Sequence, residues 1–134
     1  MPLHNIRAFY QFLEQMLKPL GDAEYQQRIW VDHEGPEVDD YDEAVMYFLE
    51  RCEEIFNDID RYEGVDDIIQ QVLKKLYDRI CQFNSQVACN IQPGKDDKII
   101  TNPEWIEIQK MANQTYQIII DRLKEKNYEN FRTI

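Results

Sequence analysis

The chain has 134 residues, a net charge of −11 and a pI near 4.5, so it is the size of one acidic domain. Its 43% hydrophobic content is typical of a globular protein, and no apolar run approaches the ~18–20 residues of a membrane span. Neither a signal peptide nor paired cysteines are visible, so we expect a cytoplasmic protein. The negative charge disfavours nucleic acids and anionic membranes as direct partners, because like charges repel, and it favours a basic partner.

The spacing of apolar residues predicts two helices in the first third of the chain. Over residues 5–20 they recur at intervals of three and four, and we expect Pro19 and Gly21 to end this first helix. Asp22 is expected to cap a shorter helix that ends near residue 32. Glycine and proline then predict a loop at residues 33–37.

The third helix has the most regular pattern. We expect Asp39 or Asp40 to cap it, apolar residues keep the helical period over 41–59, and Gly64 suits the turn that follows. A fourth helix is predicted over 66–83. Because only a short turn separates these helices, an antiparallel hairpin is expected.

The helical period fails over residues 84–101, where we predict a long loop with 98–101 as a brief extended piece. The last helix begins either with a capping box at Thr101 or with Asn102 as the N-cap ahead of a proline. The sequence therefore predicts an all-α fold: a single-domain bundle, residues 1–134, of about five amphipathic helices with one long loop before the last helix.

The negative charge is concentrated between Asp32 and Asp67. This segment holds fifteen acids and two arginines, whereas the remaining 98 residues hold 13 bases and 11 acids. On a helical wheel the acids of the third helix lie opposite its apolar stripe and beside Tyr47, a residue type enriched in binding hot spots. These acids lack a lysine or arginine four residues on, as a self-supporting surface helix would have. A solvated face is the simpler interpretation; the alternative is a partner-binding face made of Asp39, Asp40, Asp42, Glu43, Tyr47, Glu50, Glu54 and Asp58.

Carboxylate-rich helices can also bind metal ions. The two histidines do not stand at the spacing of a di-iron site, and no calcium-loop pattern fits. Glu50-x-x-Glu53 and Glu63-x-x-Asp66 resemble the magnesium signature of the all-α nucleoside-triphosphate pyrophosphohydrolases, although the gap between them is too short for facing helices. We therefore predict no catalytic residue, metal or cofactor, and keep a magnesium-dependent enzyme of this kind as an alternative.

In overall profile the chain resembles the small acidic immunity proteins that neutralise bacterial toxins. In the helical immunity proteins of nuclease colicins, carboxylates and tyrosines on a helix meet the basic surface of the toxin; contact-dependent inhibition systems use immunity proteins of many folds. The features that carry the resemblance are Glu43, Tyr47, Glu50 and Glu54, with the acidic approach at 39–42. The resemblance implies a non-enzymatic inhibitor of a toxin domain, with a nuclease as the first expectation.

Two further alternatives remain open at the level of the sequence. The chain could mimic a nucleic acid and inhibit a host defence enzyme, with carboxylates in place of phosphates. It could also be a structural helical module that forms a homodimer through an apolar stripe.

Overall fold

A computed structural model describes residues 3–58 and 65–125. Its elements, in chain order, are α1 (Leu3–Gly21), α2 (Ala23–Tyr25) with a π-helical segment that continues it (Gln26–Val31), α3 (Tyr41–Asn57), α4 (Asp67–Gln86), a 3₁₀ turn (Ala88–Asn90), α5 (Asp96–Ile100) and α6 (Pro103–Glu125). No strand occurs in these two ranges, and the predicted all-α bundle is confirmed.

The long helices α1, α3, α4 and α6 form the bundle, and each of them packs against two of the others: α1 on α3, α3 on α4, α4 on α6 and α6 on α1. Tyr41, at the start of α3, donates a hydrogen bond to Asn84, near the end of α4 (3.0 Å). Farther along the pair, Tyr77 donates to Glu53 (2.9 Å). The predicted antiparallel hairpin is therefore confirmed, and the start of α3 lies beside the end of α4.

The last helix runs antiparallel to α4. Arg122, near the end of α6, binds Asp66 just before α4 (2.7 Å), whereas Glu104, at the start of α6, meets Arg79 later in α4 (3.3 Å). The start of α3, the end of α4 and the start of α6 consequently meet at one end of the bundle. We call it the loop end, because the connections before α3 and before α6 both lie there.

Side-chain caps begin most of these helices, as the sequence predicts. Asp22, Asp40 and Asp66 each accept a hydrogen bond from the backbone N–H three residues on, at 3.0, 2.8 and 3.0 Å. Asn102 caps α6 through the N–H of residue 104 (2.8 Å), while the Thr101 hydroxyl donates to a carbonyl in the preceding turn. Of the two predicted routes into α6, the Asn102 cap is the one used. Each cap is worth about 1 kcal/mol because it satisfies an otherwise unpaired donor.

Two local predictions are wrong. Pro19 does not end α1, which continues to the predicted stop at Gly21; the proline removes only the helical bond of its own missing N–H. Residues 98–101 are not extended: the segment 96–100 is a one-turn helix that buries Ile99, and such a turn is too short to show a period. The predictions for residues 59 and 64 lie outside the described residues.

An aromatic cluster fills the loop end of the core. It consists of Trp30, Tyr41, Phe83 and Trp105, whose ring centroids are 5.3 to 6.2 Å apart in edge-on or tilted contacts. Such pairs contribute about 0.5–1.5 kcal/mol each beyond the area they bury. Both tryptophans are core residues, and the cluster connects the π-helical segment to the bundle.

Gln26 is a polar residue that is completely buried between α1 and α6. Its Nε2 donates to the carbonyls of Pro19 and Leu20 at the end of α1 (2.8 and 2.9 Å). Its Oε1 accepts hydrogen bonds from Trp105 Nε1 (2.9 Å) and from the Gln109 amide. A buried amide is tolerated because its polar atoms are satisfied, and here it joins the end of α1 to the start of α6.

Candidate protein-binding surface

The predicted partner-binding residues extend along α3 rather than forming one compact cluster. Asp39 and Asp40 precede the helix at the loop end, and Asp58 lies just past its other end. The sixteen steps from Asp42 to Asp58 correspond to ~24 Å along the helix at 1.5 Å per residue. The structure places these residues in three different environments.

Asp39 has a structural role at the loop end. Its Oδ2 accepts hydrogen bonds from the Tyr25 hydroxyl (2.9 Å) and from Trp30 Nε1 (3.0 Å), and the side chain is half-buried. Burial and then the bond to Asp39 raise the pKa of Tyr25, which keeps its hydroxyl a donor. Because both bonds use Oδ2, Oδ1 is still able to accept a hydrogen bond from a partner.

The first turn of α3 carries carboxylates that are not neutralised. Asp40 accepts the cap bond, and Asp42 and Glu43 point outward and are exposed. Among the side chains that the structure describes, no lysine or arginine lies within 4.0 Å of the carboxylates of Asp42 or Glu43. Negative charge is favourable at a helix start, so this cluster forms at little cost to the fold.

The second half of the face is partly neutralised, which corrects the expectation that its acids lack basic partners. Arg51 lies 3.0 Å from Glu54 and 3.8 Å from Glu50. Its guanidinium also lies 5.1 Å from the centroid of the Tyr47 ring. Tyr47 is half-buried rather than exposed, and its hydroxyl donates to Gln15 (2.5 Å). Arg51 was missed in the sequence because only bases four residues after each acid were considered, whereas it pairs with Glu54 three residues later.

The loop before α3 is held in a defined shape by Arg28. Its side chain donates to the carbonyl of Glu34 (3.2 Å) and lies 3.6 Å from Glu37, and its own carbonyl accepts the Glu34 N–H (2.8 Å). Gly35 has φ 120°, and a Cβ there would lie 2.7 Å from the arginine, so glycine is required. The backbone of His33 is in the left-handed region with φ 56°, a conformation that histidine adopts more often than most residues do.

This loop presents an apolar side chain that the sequence analysis did not single out. Val38 is 89% exposed, although its neighbours Glu37 and Asp39 are both held by side-chain contacts. The sequence does not indicate that this valine is exposed, because its exposure depends on how the neighbouring residues are anchored in the fold.

In the described part of the chain, a groove lies on each side of Val38. The first has a volume of about 360 Å³ and the second about 250 Å³, and both are lined by Val38, Asp39 and Glu43. We call these three residues the Val38 ridge. The first groove is completed by Gln15, Pro19, Tyr25, Ala44 and Tyr47, and the second by Ile29, His33, Gly35, Glu37 and Asp40. Both grooves are therefore lined by apolar side chains and by carboxylates.

A separate cavity of about 300 Å³ lies between the start of α3 and the segment before α5. Asp96 lines it and accepts the backbone N–H of Tyr41 (3.0 Å). Burial raises the pKa of this carboxyl, with Asp40 and Asp42 adding to the effect and the bond from Tyr41 opposing it. Asp96 thus joins α5 to α3 and forms one wall of the cavity.

The acids of the magnesium-like motifs have other contacts. Glu53 accepts the Tyr77 hydroxyl, and Asp66 caps α4 and binds Arg122. Glu63 lies outside the described residues. In the described ranges, no group of three or more histidine, cysteine or acidic side chains is arranged to hold a metal ion.

None of the helices described here is both long enough and apolar enough to cross a membrane. No protein-family model, curated protein or solved structure matches the chain. The functional argument therefore depends on the contacts and charges of the surface itself.

Proposed function

We propose that this chain is a non-enzymatic acidic binding protein that neutralises a basic partner, as a cytoplasmic immunity protein does with its bacterial toxin. The observation that supports the proposal is that Asp42 and Glu43 are exposed with no lysine or arginine in ion-pair distance among the described side chains, and that Glu43 lies beside the exposed Val38. Carboxylates that no basic side chain neutralises attract positive charge, so this surface is suited to a partner of opposite charge.

A nuclease toxin fits this surface because such an enzyme needs a basic region to hold phosphates. Opposite charges would steer the encounter and raise the association rate, to about 10⁸ M⁻¹s⁻¹ at low salt. Apolar contacts at Val38 would then slow dissociation, because removing apolar surface from water stabilises a complex and most affinity differences lie in the dissociation rate. Inhibition is stoichiometric: the acidic surface covers the phosphate-binding region or a patch next to it.

Mimicry of a nucleic acid is less well supported. A phosphate mimic needs unpaired carboxylates along an extended face. Here Arg51 lies against Glu54 and Glu50 in the second half of α3, so a cation interrupts the row of carboxylates.

Co-expression with the neighbouring reading frame tests the proposal. We expect the neighbouring product to be a basic protein that arrests growth, and this chain to restore growth and bind it in a 1:1 complex. The double variant Asp42→Asn/Glu43→Gln should slow association and reduce its dependence on salt. Glu107→Gln/Asp121→Asn, which removes the same charge from the exposed side of α6, is the matched control.

Two results would overturn the proposal. One is growth that is unaffected by the neighbouring product or not restored by this chain. The other is an association rate that falls equally in the α3 and α6 double variants, since net charge alone would then explain binding.

A further inference from the structure

We propose that the Val38 ridge and its two grooves bind a segment of the partner protein in which an apolar side chain lies between two cationic ones. This inference rests on the proposed function and specifies where and by what chemistry the basic partner docks. It assigns docking to the loop end of α3 and not to the middle of the helix.

The first argument is that Val38 is held outward by contacts on both sides. Glu37 is held by Arg28, and Asp39 is held by Tyr25 and Trp30. The loop on both sides of the valine is therefore anchored, which lowers the ordering entropy that covering the valine costs. Preorganised apolar groups of this kind are favourable contact points, because binding removes their surface from water without first fixing the backbone.

The second argument is the size and lining of the grooves. At about 360 and 250 Å³ they lie at or below the lower end of the range for small-molecule sites, so they suit single side chains. Pro19, Tyr25 and Ala44 line one of them with apolar surface, and Glu43 lies between the two. Lysine and arginine match this lining, since their methylene stems pack on apolar walls while their charged ends reach carboxylates.

The third argument is charge complementarity. Glu43 has no cation within ion-pair distance in the described ranges, and Asp39 has a free Oδ1. By contrast, Arg51 already lies against Glu50, Glu54 and the Tyr47 ring. A cation docking there must displace Arg51, whereas a cation at Glu43 displaces no lysine or arginine side chain that the structure describes, since Arg28 lies against Glu37.

The test uses the ¹⁵N-labelled full chain and a synthetic probe, acetyl-Arg-Gly-Leu-Gly-Arg-amide, titrated at low ionic strength. We expect amide shift changes over residues 36–47 and weaker changes over 50–58. A probe with glycine in place of leucine should bind about fivefold more weakly, because it cannot cover Val38.

Variants of the chain separate the apolar from the ionic contribution. Val38→Ser should raise the Kd about fivefold, and Glu43→Gln about threefold or more. Met46→Ser is the apolar control, since Met46 is 50% exposed on α3 but lines neither groove. Glu54→Gln is the ionic control, because it removes one charge from the same helix about three turns away. Both controls should change the Kd less than their counterparts do.

The inference is overturned by shift changes centred on 50–58, by equal effects of Glu43→Gln and Glu54→Gln, or by a leucine probe that binds no better than the glycine probe. Self-association of the chain that Val38→Ser abolishes would also overturn it, in favour of a second copy as the occupant. None of these results bears on whether a toxin is neutralised, so the co-expression test stands or fails separately.

Discussion

The buried amide of Gln26 permits a quantitative prediction about the loop end. The substitution Gln26→Leu keeps a side chain of similar size but removes its hydrogen bonds to Pro19, Leu20, Trp105 and Gln109. A buried polar group without a partner costs about 1–3 kcal/mol. At the lower end, four such groups cost about 4 kcal/mol, and the added apolar burial returns about 1.5 kcal/mol. We therefore expect the free energy of unfolding to fall by about 2.5 kcal/mol.

Urea unfolding followed by circular dichroism measures this change, and thermal unfolding should show a Tm lower by about 9 °C for a domain of this size. Gln27→Leu is the matched control, because Gln27 is exposed and its amide makes a surface hydrogen bond to Asp32 (3.2 Å). The control should change the free energy by less than about 0.5 kcal/mol. If both substitutions have the same small effect, the Gln26 network does not hold α1 to α6.

Three further predictions concern the acids of the loop end and of α4. Asp39→Asn should lower the free energy of unfolding in urea by about 1–2 kcal/mol, since the hydrogen bonds from Tyr25 and Trp30 lose a charged acceptor. An unchanged free energy of unfolding would contradict the structural role of Asp39. Burial raises the pKa of Asp96, so the folded state holds this proton more tightly than the unfolded state does, and the group's contribution to stability falls as pH rises above its ordinary value of 3.8. The stability of Asp96→Asn relative to the natural chain should accordingly rise as the pH is raised from about 3 to about 7. A stability difference that stays constant across that range would refute this. Asp66→Ala should lower the Tm more than Asp66→Asn, because asparagine keeps the cap and loses only the ion pair with Arg122; equal losses would show that the cap contributes nothing.

Local chemistry determined the helices. Apolar spacing and the caps at Asp22, Asp40 and Asp66 depend on residues within about four positions of each other, and the structure confirms those starts. The short helix at 96–100 was not predicted, because it has too few residues to show a helical period. The concentration of acid between residues 32 and 67 was likewise readable directly from the chain.

The candidate surface could be predicted only in part. The sequence indicated acids on α3 as the partner-binding face, and Asp42 and Glu43 are indeed exposed and unpaired in the described ranges. It did not show that Arg51 partly neutralises the second half or that Asp39 holds two aromatic side chains.

The sequence by itself determined an acidic all-α chain with its charge on one segment. Only the tertiary structure decided which carboxylates lack a basic partner among the described side chains and that Val38 is exposed to solvent. It also decided that Gln26 accepts a hydrogen bond from Trp105, 79 residues away. The physical reason is the range of the interactions: helical period and caps act over one turn, whereas burial and pairing depend on which distant segments meet when the bundle closes.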